Sequence, residues 1–597
     1  MQEAGKHFKS FLTDSQILLR EGFPVVRPFA LMTGEPSQRQ ALPRSGGAVE
    51  YNLADLFESV VDVVPDREAL VYADHPGTGA ERRLTYAELD AAANRFGHHL
   101  IDSGIRPGEH LGLHLYNGVE YLQTVLGCLK ARVVPVNVNY RYVEEELVYL
   151  YRDADLVALV FDAGFADRVA AALPRVAGLR HLVRVGAAEP GARPGAAVPA
   201  VAFADAEAAG SPERGFPARS GDDQFIIYTG GTTGMPKGVM WRQEDLFFSG
   251  LGGGAPTGEP VSRPQELAER VAAGGAGITF FPTAPLMHGT STLTAFIGFG
   301  FGQRVVIHRK FAAEAVLRTI EEERVTSVSL VGDAMLRPLV DALSGAMKGT
   351  DCSSLFSVSS SGAIMSDTVR RQFRDLVPGA LLLNNFGSSE SGFNGTATED
   401  SGPERGFRIR VNSRTRVVDP DSREPVAVGE VGRVAQCGHV PLGYYNDPGK
   451  TAETFFEKDG RRWVLLGDMA TVDEEGVVTV LGRGSQCINT GGEKVYPEEV
   501  EQALKSHPDV YDALVAGVPD ARWGHHVAAV VALRPGAAAP SLADVQAHCR
   551  ALLAGYKIPR RLVITDVVRR SPSGKADYRW AREVAASAGA RIPGPQD

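Results

Sequence analysis

From Asn52 the apolar positions fall at Leu53, Leu56, Phe57, Val60 and Val61, the three-and-four spacing of a helix with one buried stripe. Residues 69–72 form a short apolar run that predicts a strand. Thr85, followed three residues later by Glu88, is the capping-box pair that opens a helix. Residues 111–115 then predict a strand, 120–129 a helix and 133–138 another strand. Strands alternating with helices in this way predict an α/β domain on a mostly parallel sheet. Residues 187–222, rich in Ala, Pro and Gly, predict an exposed connection, and the Gly-rich 250–277 a lid or an insertion.

Strand-like runs at 328–331, 357–361 and 381–383 each stop at small or polar residues: Gly332, Gly362-Ala363, and Asn384 to Gly392. They read as strand ends that leave room for a flat ligand. A hairpin turns at 473–476, and 477–483 closes the large unit. Beyond it, Pro497 opens a helix with acids in its first turn. Strands at 513–518 and 527–533 flank His525-His526, which read as a surface turn rather than a metal site. A helix at 542–553 and a strand at 561–568 complete a small α+β domain. The expected organisation is an N-terminal extension (1–45), a large α/β domain (46–483) and a small α+β domain (484–597).

The pattern breaks most sharply in the window Phe225 to Trp241. A strand-like run ends at Thr229-Gly230-Gly231-Thr232-Thr233-Gly234, then Met235-Pro236-Lys237-Gly238 leads to a second apolar run. Glycines let backbone N–H groups approach an anion, the threonines add hydroxyl donors and Lys237 adds a charge. The window predicts a phosphate-binding loop. It is not the P-loop of NTPases, since Pro236 precedes the lysine and Gly238 follows it.

Composition narrows the function. With 62 Lys and Arg against 72 Asp and Glu, the net charge of −10 argues against nonspecific nucleic-acid binding. The 5 cysteines are scattered without a CxxC pair, which fits a reducing cytoplasm better than a disulfide framework or zinc site. No apolar run reaches membrane-spanning length.

The 225–241 window resembles the phosphate loop of the adenylate-forming superfamily of acyl-CoA synthetases, luciferases and peptide-synthetase adenylation domains. Gly230 stands where that family usually has serine, and the Gly-Gly form with Gly-Val-Met-Trp after it is similar to the fatty-acyl and steroid-acyl CoA ligase branch. Further blocks follow in order. Asn385-Phe386-Gly387-Ser388-Ser389-Glu390 resembles Tyr-Gly-x-Thr-Glu, Leu466-Gly467-Asp468 resembles Thr-Gly-Asp, and Lys575 closes a Pro-Ser-Gly-Lys block. The resemblance implies a large domain with a small mobile one. Its implied ligands are ATP, Mg²⁺, CoA as cosubstrate and a carboxylic acid.

It also implies roles for residues. Lys575, Glu390 and Lys237 are the expected catalytic set, with Glu390 on the metal. Thr229 to Gly234, Gly362, Ala363, Asn385, Phe386, Gly387, Ser388, Ser389, Asp468 and Arg483 are expected to bind ATP. His288, Gly289 and Gly332 are expected at the acyl pocket, within a 280–294 segment that carries no acidic residue. Without a carboxylate to pair an ammonium, an amino-acid substrate is excluded. Ser485 is expected at the hinge, and Gly491 and Gly492 beside the CoA passage. The acid expected is large and apolar, a fatty, steroid or polycyclic terpenoid acid. A ligase serving a carrier protein and a non-catalytic nucleotide or lipid sensor remain alternatives. A monomer and a homodimer both stay open.

Overall fold

The computed structural model describes residues 50–73, 82–187, 198–229, 235–255, 258–275, 277–398, 407–490, 493–520, 523–571 and 574–587. The expected N-terminal extension falls outside these, as do Gly230 to Gly234, Gly491 and Gly492.

Local signals set the first elements. Asn52 caps the helix Leu53–Val63, its side chain accepting from the N–H groups of Ala54 and Asp55. Thr85 and Glu88 form both halves of the capping box on Tyr86–Asp102. The expected strands lie at Glu68–Tyr72, His110–His114 and Val134–Asn137.

Among the described residues the large unit carries a 14-stranded and an 8-stranded sheet. The larger sheet has a parallel half and an antiparallel half. In the parallel half Glu68–Tyr72, Arg304–Ile307, Thr279–Pro282, Ser327–Leu330, Ser357–Ser361 and Leu381–Ser388 lie side by side. The other sheet is mostly parallel, and Gln224–Thr229 and Lys237–Arg242 pair antiparallel at its end. Ser327–Leu330 and Ser357–Ser361 set serines beside their buried Val328, Leu330 and Val358, so these two strands carry small residues towards the sheet end. Ser360 pairs with Asn384 and Ser361 with Asn385. That register brings Gly332, Gly362 and Asn385 to one sheet end, the carboxyl end where open α/β sheets bind ligands.

The C-terminal unit is α+β. The hairpin Val510–Asp520 with Gly524–Leu533 pairs in parallel with Arg561–Thr565, and the helices Pro497–Lys505, Leu542–Arg550 and Tyr578–Ala586 accompany it.

Four expectations need correction. The 187–222 stretch is not wholly an exposed connection. It contains the helix Phe203–Ala209, where Phe203 stacks on Phe96 with ring centroids 5.0 Å apart. Its alanines, read as loop composition, are good helix formers. His525 and His526 lie inside the strand Gly524–Leu533, opposite Pro519 and Val518, so they are not the turn. The helix from 542 stops at Arg550, and the strand from 561 stops at Thr565. Of the two readings of the Gly-rich segment, its described residues fit the insertion: the helix Gln265–Ala272 buries Leu267 and Val271 beside Leu53–Val63.

Candidate active site

The last strand of the large sheet, Val478–Arg483, leads into a short turn, Gly484–Gln486, with exposed Ser485 at its centre. From there the small domain folds back onto the helix Gly332–Ser344. This docking helix presents Asp333, Arg337 and Asp341, spaced by four and therefore on one face. Lys505 Nζ stands 3.5 Å from Asp333, Tyr511 donates its hydroxyl hydrogen to Asp341 at 2.9 Å, and the Arg337 guanidinium lies 4.9 Å from the Tyr511 ring centre.

The same docking brings the loop of Lys575 to the cleft. Gly574 has φ +72°, and a Cβ there would sit 2.9 Å from the Val331 carbonyl oxygen and 3.0 Å from Ala334 Cβ. Only glycine allows both that backbone and that approach. Lys575 then projects past Gly362, where an added Cβ would lie 3.4 Å from Lys575 Cε. Burial between the domains lowers the Lys575 pKa from the usual lysine value. Arg483 lowers it further, and Glu390 and Asp468 oppose the shift. The side chain still reaches solvent because the cleft it faces is open.

Asp468 and Arg483 are cross-strand partners on adjacent antiparallel strands. The Arg483 Nε lies 3.2 Å from Asp468 Oδ1, and Asp468 is buried at 8% exposure. Asp468 and Glu390 raise the Arg483 pKa against the cost of burial. Beneath them sits Glu498, against Gly482. Burial, then Glu501, pushes the Glu498 carboxyl up to about 8.

Glu390 belongs to a tight turn. A Cβ on Gly387 would stand 2.1 Å from the Gly392 oxygen, so the chain can double back only without a side chain there. The Glu390 N–H donates to Ser388 Oγ at 3.2 Å, and Trp241 Nε1 donates to the Ser389 oxygen at 2.9 Å. Behind the turn the Ser391 oxygen accepts from Ser249 Oγ and Gln436 Nε2, each at 2.7 Å. The Glu390 carboxylate itself accepts from the Tyr444 hydroxyl at 3.1 Å. Lys237 pairs with Asp447 and stands 5.6 Å from the Tyr444 ring centre. The Lys237 ammonium and the Lys450 N–H hold Asp447 below the usual carboxylate range.

The remaining expected residues divide. Gly332, with φ +56°, opens the docking helix, and its N–H donates to Ser360 Oγ at 2.7 Å. Ser360 Oγ donates in turn to the Ala363 oxygen at 2.7 Å, so Gly332 and Ala363 share one small-residue corner. Asn385 Oδ1 accepts from Thr396 Oγ1 at 3.0 Å. Phe386 is half-buried and packs partly against the core. His288 stands at the N-cap position of the helix Gly289–Gly300, its side chain making no capping bond. Burial, then the Lys575 charge, pushes the His288 ring down to about 3, so it is neutral. Gly289 lies in ordinary contact range of Ile227, 3.6 Å from where a Cβ would stand. Thr229 ends its strand opposite Lys237.

The docking thus brings Lys575, Glu390, Asp468, Arg483, Gly362 and His288 around one cleft. Sequence reasoning missed Tyr444, Asp447 and Trp241 as partners of the catalytic set, although a Gly-Tyr-Tyr-Asn-Asp-Pro block marks the first two. It also missed the docking stripe, whose four-residue spacing is its one sequence signal.

A family model described as AMP-binding enzyme matches residues 57–445. The chain belongs to this family. A second model, the AMP-binding enzyme C-terminal domain, matches residues 499–575, up to and including Lys575. Among relatives of this AMP-binding enzyme is the medium/long-chain-fatty-acid–CoA/3-oxocholest-4-en-26-oate–CoA ligase of Mycobacterium tuberculosis. It is 47% identical over 544 residues, covering 90% of this chain and 96% of its own. The 3-oxocholest-4-en-26-oate–CoA ligase of Rhodococcus rhodochrous is 43% identical, over 89% of this chain and 95% of its own. The medium-chain acyl-CoA ligase Mig of Mycobacterium avium is 41% identical, over 90% and 98%. Among solved structures, ATP-bound MatB from Rhodopseudomonas palustris superposes with TM-score 0.74 at 25% identity, covering 89% of this chain and 98% of its own. The anthranilate CoA ligase AuaEII with anthranoyl-AMP gives TM-score 0.75 at 23% identity, over 90% and 98%, and speaks to the fold alone.

Proposed function

We propose that this protein is an AMP-forming acyl-CoA synthetase. It activates a large apolar carboxylic acid with ATP and passes the acyl group to CoA. The observation that carries the reading is the meeting of Lys575 with Glu390, Asp468 and Arg483 in one cleft, in a chain whose relatives carry the names of fatty-acid and steroid-acid CoA ligases.

In the first half-reaction a substrate carboxylate oxygen bonds to the α-phosphorus of ATP and the bond to pyrophosphate breaks. Two anions meet there, so positive charge has to be placed in advance. Lys575 reaches both the incoming carboxylate and the α-phosphate. The 229–237 loop is assigned to the outgoing phosphates, with Lys237 held by Asp447 at its exit. Asp468 accepts from the ribose hydroxyls, and Arg483 steadies Asp468. Glu390, half-buried with one oxygen engaged by Tyr444, offers the hard oxygen that suits Mg²⁺ bound chiefly through substrate phosphates. When bound there, Mg²⁺ supplies neutralisation of phosphate charge.

In the second half-reaction the CoA sulfur bonds to the acyl carbon, the C–O bond to AMP breaks and the thiol proton leaves to solvent. We assign the change of site between halves to rotation of the small domain about Ser485, which divides the chain at 483/484. That rotation carries Lys575 away and brings Gly491-Gly492 to the passage. The neutral His288 and the acid-free 280–294 wall suit an apolar acyl group. The five cysteines stand as free thiols, which suits the cytoplasm.

The test is a panel of carboxylic acids scored by thioester formation with ATP and CoA. AMP as product supports the reading, whereas ADP or no nucleotide turnover refutes it. Acyl carrier protein in place of CoA separates the carrier-protein alternative.

A further inference from the structure

The expected acyl wall, 280–294, covers only the start of the helix Gly289–Gly300, whose 12 residues span about 18 Å. Ser291, Thr292, Ala295, Phe296, Gly298 and Phe299 on this helix are buried. Thr290, Leu293, Ile297 and Gly300, with Phe301 beyond, are only half-buried. Their spacing of three and four puts them on one face.

This stripe begins within a turn of His288, whose ring feels the Lys575 charge at the reacting end. It ends at a cavity lined by Ile297, Gly300 and Phe301, by Phe57 of Leu53–Val63, and by Leu251 and Leu267 of the 250–277 insertion. Every residue lining that cavity is apolar or glycine. An apolar space of this kind gives water no partners. At half-buried Gly300, which lines the cavity, an added Cβ would meet nothing within 4 Å, so a larger side chain has room there. The run from His288 to the cavity follows this helix for most of its ~18 Å.

We propose that this cavity, bordered on its far side by Leu251 and Leu267 of the insertion, receives the distal end of a medium- or long-chain fatty acyl group and sets the longest chain the enzyme accepts. The proposal rests on the acyl-CoA synthetase reading above. The insertion then acts as the end-stop of the acyl site. Each methylene kept out of an apolar site lowers kcat/KM about fourfold.

Thioester formation with octanoate, dodecanoate and hexadecanoate, for the full chain with ATP and CoA, tests this. Gly300→Leu puts a larger side chain into the cavity. It is expected to keep octanoate activity and to lower the hexadecanoate-to-octanoate ratio of kcat/KM at least about tenfold. Ile297→Ala deepens the cavity and is expected to move the ratio the other way. If both variants keep the wild-type thermal unfolding temperature and the wild-type ratio, the cavity is a packing void and the proposal is overturned. If the wild type forms no thioester with any of the three acids, the acyl-CoA synthetase reading itself fails for fatty acids. Normal wild-type turnover with unchanged variant ratios removes the end-stop alone.

Discussion

Tyr444 donates its hydroxyl hydrogen to Oε1 of Glu390 across 3.1 Å, while the Lys237 ammonium stands 5.6 Å from the centre of the same ring. One aromatic residue thus ties the lysine after the phosphate loop to the carboxylate assigned to Mg²⁺. Burial and the Glu390 charge raise the Tyr444 pKa, so the hydroxyl stays protonated and remains a donor.

Removing that donor loosens the carboxylate without removing it. Tyr444→Phe is expected to lower kcat/KM for ATP about tenfold, as loss of a hydrogen bond to a charged group does, and to raise the Mg²⁺ concentration needed for half-maximal rate. Glu390→Gln is expected to do the same more strongly. Pyrophosphate release across a Mg²⁺ titration measures both. A wild-type titration curve for either variant refutes the role.

Lys575 is expected to serve adenylation alone. Lys575→Ala should slow pyrophosphate release about a thousandfold, the scale of losing an aligned charge from a transition state. It should still convert supplied acyl-adenylate and CoA to thioester. Equal damage to both halves counts against alternation of the small domain.

The docking helix should matter to one half-reaction only. Asp333→Asn removes the charge facing Lys505 but keeps the oxygen that accepts from the Ser366 N–H at 2.8 Å. Pyrophosphate release is expected to fall at least about fivefold, equivalent to ~1 kcal/mol or more, with thioester formation from acyl-adenylate unchanged. Single-turnover assays of the two halves make the comparison, and a parallel fall in both sinks the idea.

Glu498 predicts a pH effect. Its carboxyl is raised from 4.5 to about 8 by burial and by Glu501, with Asp468 adding to the shift and backbone hydrogen bonds at Glu498 and Arg483 opposing it. A raised pKa means that the closed arrangement holds the proton. Its contribution is complete below the ordinary glutamate pKa and is lost as pH rises through about 8. Adenylation is therefore expected to decline relative to thioester formation as pH rises towards about 8 and to level off above it, and Glu498→Gln to flatten that decline. An identical profile for the variant would falsify the assignment.

What could be read from the sequence follows how locally the chemistry is written. The helices after Asn52 and Thr85 are announced by their own caps, and the strand–turn order around Asn385 to Glu390 is visible in one short window. Lys575 was singled out by its block, but what surrounds it depends on distant chain: Gly362, Arg483 and the docking helix. Trp241 supports Ser389 across 148 positions, and Tyr511 reaches Asp341 across 170. No periodicity encodes such pairs. The helix Phe203–Ala209 was hidden because its alanines serve a loop and a helix equally well, and only Phe96 beneath Phe203 decides between them.

The face of the docking helix that meets the small domain is built from Asp333, Arg337 and Asp341 rather than from leucines. Polar contacts of this kind exchange partners with water on release, so neither bound nor free form exposes a large oily surface. A greasy seam would hold the two bodies together through many catalytic cycles and make parting the slow event. Under the proposed rotation a charged seam lets go once per molecule of product, and its exposed Tyr511–Asp341 contact makes the tempo of that cycle sensitive to dissolved salt.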